Sequence, residues 1–286
     1  MAGQASRPLD VPHAISGEVD HRRTWAGQHI RGEMTHNTRS AYYQAHEREY
    51  LRRLRAGDAG SDAGPYDAFF VRPFVLRMLA ESGLDARGGP VLELGCGTGS
   101  LACLLAARGL EVVAVDVSAA AIGYGREIAT QRGLTIDFRV HDVVGHGVPD
   151  GAFDLVIDAH LLHCLVSMEH RAGVLRGARQ ALSPGGEFWI ETMAMTPAVV
   201  PDPAWHLDAE GVTWAPLGEA GQYAEEVQRD GQVWLPIRRI REPEAILEEL
   251  SQAGLRVLWR ELEERPQPHT PAIFRARCAV VGFGLV

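Results

Sequence analysis

Residues 90–100 read Pro-Val-Leu-Glu-Leu-Gly-Cys-Gly-Thr-Gly-Ser, and no other stretch restricts the fold as much. Val91 to Leu94 is a short apolar run with one carboxylate, the pattern of a buried parallel strand. Gly95, Gly97 and Gly99 follow at alternate positions, and from Leu101 the chain is a helix-forming run of leucine and alanine. Strand, glycine-rich turn and helix in that order open a βαβ nucleotide site. The glycines let backbone approach a ligand that a Cβ would hold off. The helix N-terminus aims N–H groups into the same space.

The spacing narrows the ligand. A dinucleotide fingerprint needs Gly-x-Gly-x-x-Gly, and Ser100 stands at its last position. A phosphate-gripping loop needs Gly-Lys-Ser/Thr, and this chain has no lysine, since all 28 basic residues are arginine. What remains is Glu-x-Gly-x-Gly-x-Gly, led by Glu93. A second strand-like run, Glu111 to Asp116, ends in an acid placed to reach ribose hydroxyls in folds that bind adenosine at strand ends. The other reading makes Glu93 a strand-end surface acid and Asp116 the N-cap of a helix starting near Ser118.

Strand and helix patterns alternate from here: strands at 91–94, 111–115, 135–140, 153–157 and 187–191, with helices at about 99–108, 118–132 and 169–181. Alternation of this kind predicts a doubly wound, mostly parallel sheet. Before it, residues 1–37 are polar without a steady period and are expected to be a mobile tail. Helical patterns at 38–56 and 69–84 form an N-terminal cap, 38–84, separated by a Gly/Asp/Ser/Ala connector. Residues 85–286 form the main domain. After strand five, about 196–240 breaks the alternation with Pro197, Pro201, Pro203, Pro216, Trp205, Trp214, Tyr223 and Trp234. Insertions of that length are usually lids or binding loops. A helix at 242–253 and strand-like runs at 255–262 and 272–283 close the chain.

Composition excludes several classes. A net charge of −9 argues against a nucleic-acid-wrapping protein, whose phosphate contacts need a basic face. Absence of lysine excludes Schiff-base and pyridoxal phosphate chemistry. The four cysteines, Cys96, Cys103, Cys164 and Cys278, show no zinc spacing and read as free thiols of a reducing compartment. The first residues lack the apolar core of a signal peptide, and no apolar run approaches ~20 residues, so the expectation is a cytoplasmic enzyme.

The glycine motif, Asp116, His141-Asp142, Phe153-Asp-Leu-Val-Ile-Asp158 with His160-Leu-Leu-His-Cys, and Leu182-Ser-Pro-Gly-Gly together resemble the class I S-adenosylmethionine (SAM) dependent methyltransferases. The resemblance covers about 65–195 well and 240–286 in outline. It implies a seven-stranded sheet with an antiparallel last strand, and SAM as cofactor with S-adenosylhomocysteine (SAH) as product. It implies a cofactor set of Glu93, Gly95, Cys96, Gly97, Gly99, Asp116, Val117, His141, Asp142, Val143, Asp158 and Ala159. In the family Asp142 typically bonds the adenine amino group, and Asp158 to His160 line the methyl-transfer site. No metal is expected: the chain lacks the acidic pair plus Asn that resembles catechol-type enzymes, Asn37 being its only asparagine.

A sulfonium methyl is already activated, so alignment and exclusion of water carry most of the reaction, and a base helps where the acceptor must lose a proton. His160 and Glu191 are the catalytic candidates; a hydrogen-bonded loop histidine and a solvated strand-end acid are their plain alternatives. Tyr42, Tyr43, His163, Trp205 and Trp214 are substrate-side candidates, with core packing as the alternative. The acceptor is expected to be a small molecule, with no nucleic acid or membrane partner. The long N-terminal extension is compatible with a homodimer. A SAM-binding regulatory or scaffolding subunit and a peptide or protein methyltransferase stay open as other functions.

Overall fold

The computed structural model describes residues 41–57, 66–199, 206–217, 227–229, 231–267 and 270–281. The expected tail 1–37, together with Trp205 and Tyr223, lies outside them, as do the side chains of Tyr42 and Tyr43. In chain order the helices are α1 (Ala41–Arg55), α2 (Arg72–Ser82), the single turn α3 (Leu84–Arg87), α4 (Ser100–Ala106), α5 (Ala119–Gln131), α6 (Met168–Ala181) and α7 (Pro243–Gln252). The strands are β1 (Pro90–Leu94), β2 (Glu111–Asp116), β3 (Asp137–Val140), β4 (Phe153–Ala159), β5 (Leu182–Ala194), β6 (His206–Leu207), β7 (Val212–Leu217), β8 (Val227–Arg229), β9 (Gln232–Arg239), β10 (Leu255–Glu263) and β11 (Ala272–Val280). None of the described helices is long and apolar enough to cross a membrane.

Seven strands form one sheet in the order β10-β11-β5-β4-β1-β2-β3. Only β11 runs against its neighbours; all other pairings are parallel. Strand order reverses between β1, which pairs with β2 on one side, and β4 on the other. Ligands of open α/β sheets bind in the crevice at that reversal, beyond the C-terminal strand ends. Alternation along β1 sends Val91 into the apolar layer under α2 and α4, and Leu92 and Leu94 into the layer under α6 and α7. Glu93 therefore points to the α4 side, where it is buried.

Several boundaries differ from expectation for local reasons. The second helix starts at Arg72 rather than Phe69, because Pro73 is suited to a first turn, and it ends where Gly83 adopts φ 64°. The fifth strand begins at Leu182, well before Glu187. Phe153 pairs with Leu182 and Leu155 with Glu187, so Ser183 to Gly186 bulge out of a ladder that sequence reads as a plain turn. Ser118, not Asp116, caps α5, its Oγ accepting from the Ala121 N–H. The insertion after β5 contains an antiparallel sheet ordered β6-β7-β9-β8. It is tied back where Met195 N–H donates to the Arg241 carbonyl at 2.8 Å.

Candidate functional site

The ends of β1, β2 and β4 converge on the glycine turn. Gly95, Gly97 and Gly99 all have positive φ (65°, 53° and 80°), which lets three residues double the chain back into α4. Asp116, at the end of β2, holds this turn: one carboxylate oxygen accepts from Gly97 N–H and the other from Ser118 N–H, each at 2.8 Å. Burial raises the Asp116 carboxyl above its ordinary value, while these two N–H groups pull it down. Glu93 is buried and accepts a backbone N–H from Ala102, but its Oε2 has no partner among the described residues. Desolvation, then the Asp116 charge, pushes its carboxyl well above the usual range. A buried polar group without a partner is costly and calls for an explanation.

Two adjoining cavities meet here. The larger, about 310 Å³, is lined by Glu93, the glycine turn, Phe69, Phe70, His163 and Met193, among others. The smaller, about 80 Å³, runs along Asp116, Val117, His141, Asp142 and Val143. His46, Tyr50, Gly95 and His160 line both. Every expected cofactor residue except Gly99 and Asp158 therefore borders a cavity. Gly99 packs on Phe138, where a Cβ would come within 2.5 Å of the ring. Asp158 sits beneath the site: its Oδ1 accepts from Leu161 and Leu162 N–H, setting the loop after β4, and burial raises its carboxyl to about 6. Asp142 holds its own loop through Val144 N–H, and His141 Nε2 bonds the Gly147 carbonyl.

His160 follows β4 directly and has φ 80°, the only positive φ at a non-glycine among the described residues. Such backbone persists only where the surroundings impose it, and it clusters at functional sites. Glu191 imposes it twice: its carbonyl accepts the His160 N–H at 3.0 Å, and its Oε1 bonds His160 Nε2 at 2.8 Å. Glu191 is completely buried. Its Oε2 accepts from Arg275 Nε, and Arg275 also reaches Glu263 at 2.7 Å and Glu261 at 3.3 Å. The two catalytic candidates are thus brought together. With the Nε2 proton donated to the carboxylate, the neutral ring carries its lone pair on Nδ1.

His163 is fixed differently. Its Nδ1 accepts the Met193 N–H and bonds Thr192 Oγ1, and burial holds it well below its ordinary value, hence neutral. It still borders the larger cavity. Trp214 is held within the small sheet, donating to Asp208 and lying under Arg229, and it borders neither cavity. Sequence reasoning did not single out His46, Tyr50 or Arg53 of α1 as site residues, although their spacing of four and three marks one helix face. Arg238 of β9 and Arg275 of β11 carried no local signal. Glu47 anchors α1 over the site by accepting from Ser118 Oγ and Ala120 N–H. No cluster of three or more His, Cys, Asp or Glu suited to a metal ion occurs among the described residues.

Residues 91–186 match the family model described as a methyltransferase domain. A 2-heptyl-1-hydroxyquinolin-4(1H)-one methyltransferase from Mycobacteroides abscessus is 30% identical over 158 residues, 55% of this chain and 65% of that protein. A ubiquinone biosynthesis O-methyltransferase from Xanthomonas euvesicatoria is 30% identical over 119 residues, 40% of this chain and 47% of that protein. The match thus spans between about half and two thirds of these curated relatives. Among solved structures, DhpI in complex with SAH is 25% identical with a TM-score of 0.51, covering 84% of this chain and 97% of that one. The matched segment holds the glycine turn, Asp116 and His160, and with the sheet order it shows that the chain carries a methyltransferase domain of the class I, Rossmann-like, SAM-dependent type.

Proposed function

We propose that the protein moves a methyl group from SAM to a ring hydroxyl of a small organic acceptor, with His160 as general base. The observation that carries this reading is the pairing of two features in one cavity. Glu93 presents a buried carboxylate oxygen with no partner among the described residues, and His160, held by Glu191, forms another wall. The residues suit the cofactor. An unanswered buried carboxylate fits the ammonium of a zwitterion, the glycine turn admits close backbone approach, and Asp116 and Asp142 border the adjoining space for ribose and adenine. DhpI, whose structure contains SAH, supports the cofactor assignment; the name of the quinolone relative supports a small ring compound as acceptor, and that of the ubiquinone O-methyltransferase an oxygen atom.

When bound, SAM supplies a methyl carbon already activated as a sulfonium. The chain's own residues position the acceptor and remove its proton. Phe69 and Phe70 border the cavity as an apolar wall, and the Phe70 ring lies 5.9 Å from that of His160. His160 would take the hydroxyl proton at Nδ1 as that oxygen bonds the methyl carbon, whose bond to sulfur would break and leave its electron pair on the thioether. Glu191 holds the ring and balances the imidazolium that forms; general-base help from such a histidine is of order 10²–10⁴-fold. Helix α1 and strand β9 bring His46, Tyr50 and Arg238 over the site and serve as its cover, and the cap 38–84 with the insertion 196–240 selects the acceptor.

Calorimetry with SAH, with Asp116→Asn and NAD as controls, tests the cofactor; labelled SAM with a panel of hydroxylated ring compounds tests the transfer. The expected result is SAH binding that weakens in the variant, no NAD binding, and a turnover lost in His160→Gln while SAH affinity is kept. Absence of SAH binding, or full turnover in His160→Gln, overturns the reading.

A further inference from the structure

Arg275 stands directly opposite Glu191 in the β5–β11 ladder and directly opposite Glu261 in the β10–β11 ladder. Side chains of directly opposed residues share one face of the sheet, so register alone lines up Glu191, Arg275 and Glu261 across three strands. Arg275 is 7% exposed, and its Nε meets Glu191 Oε2 at 2.5 Å while Nη1 meets Glu263 at 2.7 Å. The other Glu191 oxygen bonds His160. A continuous chain therefore runs from the Glu261/Glu263 rim through Arg275 and Glu191 to the imidazole.

We propose that Arg275 is a positioning residue which, by neutralising and orienting Glu191, keeps a lone pair on Nδ1 of His160. This rests on the reading of His160 as the base. A completely buried carboxylate cannot stay ionised without a partner, and the cation of Arg275 allows Glu191 to do so without drawing a second proton onto the pair. Burial works against the guanidinium, but Glu191 and Glu263 more than offset it and hold Arg275 above its ordinary value. Without Arg275, the pair binds one proton more. That proton either makes an imidazolium, or sits on Glu191 and donates to Nε2, which moves the ring proton to Nδ1. Both arrangements remove the lone pair at Nδ1.

The other charged groups facing this pair do not reproduce the effect. Asp158 of β4 acts on His160 from below but is spent on Leu161 and Leu162 N–H. His163 beside it is held neutral by burial, and His46 of α1 is lowered by burial. Arg238 of β9 acts on His163 and His46, and Arg265 stacks on the Phe70 ring. Only Arg275 touches Glu191 with a positive charge among the described contacts.

The test is a ring ¹⁵N NMR titration of His160 in the full chain without cofactor, assigned with His160→Gln, for wild type, Arg275→Met and Arg275→Lys. The pH at which Nδ1 loses its proton should rise by about one unit or more in Arg275→Met, the change expected when a cation leaves a carboxylate beside a titrating group. Arg275→Lys, which keeps the charge but lacks the fork that meets Glu191 from Nε and Glu263 from Nη1, should move it by less in the same direction. Circular dichroism and SAH calorimetry show whether each variant is folded; should the methionine variant unfold, the lysine variant decides. A titration unmoved in a folded variant overturns the proposal. The kcat–pH profile separates it from the base assignment. If the NMR titration moves while wild-type turnover has no acid limb, Arg275 positions the ring but His160 is not the base.

Discussion

Replacing Glu93 by Gln should make the protein more stable and the cofactor site weaker. In the folded chain Glu93 is 2% exposed, its Oε2 is unpartnered, and its carboxyl is raised by burial and by Asp116. An acid raised in this way binds more protons in the native state than in the unfolded chain between its ordinary and its shifted value. Stability therefore falls as pH rises through that window. Glutamine retains an oxygen for the Ala102 N–H and leaves a neutral amide, which is less costly to bury unpaired than a charge. The expected gain is about 1–2 kcal/mol, or roughly 2–4 °C in Tm for a chain of this size. The same change deletes the charge-assisted bond proposed for the ligand ammonium, worth about 1.5–3 kcal/mol, so SAH should bind roughly 10- to 100-fold more weakly. Scanning calorimetry and isothermal titration on the same preparations read both quantities. A lower Tm together with SAH affinity within about twofold of wild type would refute the reasoning, since Glu93 would then be a structural acid with a partner of its own.

Two further perturbations probe the scaffold under the site. Arg171, 1% exposed, pairs with Glu249 at 2.8 Å and donates to the Leu162 carbonyl at 2.6 Å, bracing the turn that carries His163. Glu249→Ala leaves that guanidinium buried without its carboxylate and should cost about 3–5 kcal/mol in urea unfolding; a loss below about 1 kcal/mol would mean that water reaches Arg171. Asp158, raised to about 6 by burial, should make stability fall between pH 4 and 6 as its unfolded-state carboxyl ionises first. That fall is of order 2–3 kcal/mol. Asp158→Asn keeps an oxygen for Leu161 and Leu162 N–H and should flatten the profile in that range, which urea melts at pH 4.5 and 7 can check.

The elements read from sequence are those whose signals are local. The glycine turn, the acid ending β2 and the strand–helix alternation each depend on residues within one supersecondary unit, where backbone conformation and amphipathic period are written in the residues themselves. Helix ends shifted by a few residues where a proline or a left-handed glycine, rather than apolar period, set the boundary, as at Arg72 and Gly83. The bulge at Ser183 to Gly186 escaped because a parallel pairing between Phe153 and Leu182 has no local mark.

For the site, sequence alone determined which residues stand at the strand ends, because a parallel doubly wound sheet puts every C-terminal strand end on one side. That was enough to place Glu93, Asp116 and His160 around two adjoining cavities. It could not say that Glu191 would hold His160 by both backbone and side chain, or that Glu93 would lack a partner. Nor could it bring Arg275 to Glu191, 84 residues earlier in the chain. Those facts depend on the antiparallel register of β11 against β5 and on how α1 and β9 close over the sheet. A one-residue slip in that register would turn Arg275 to the opposite face, so only the packed tertiary structure decides whether His160 has its carboxylate and that carboxylate its cation.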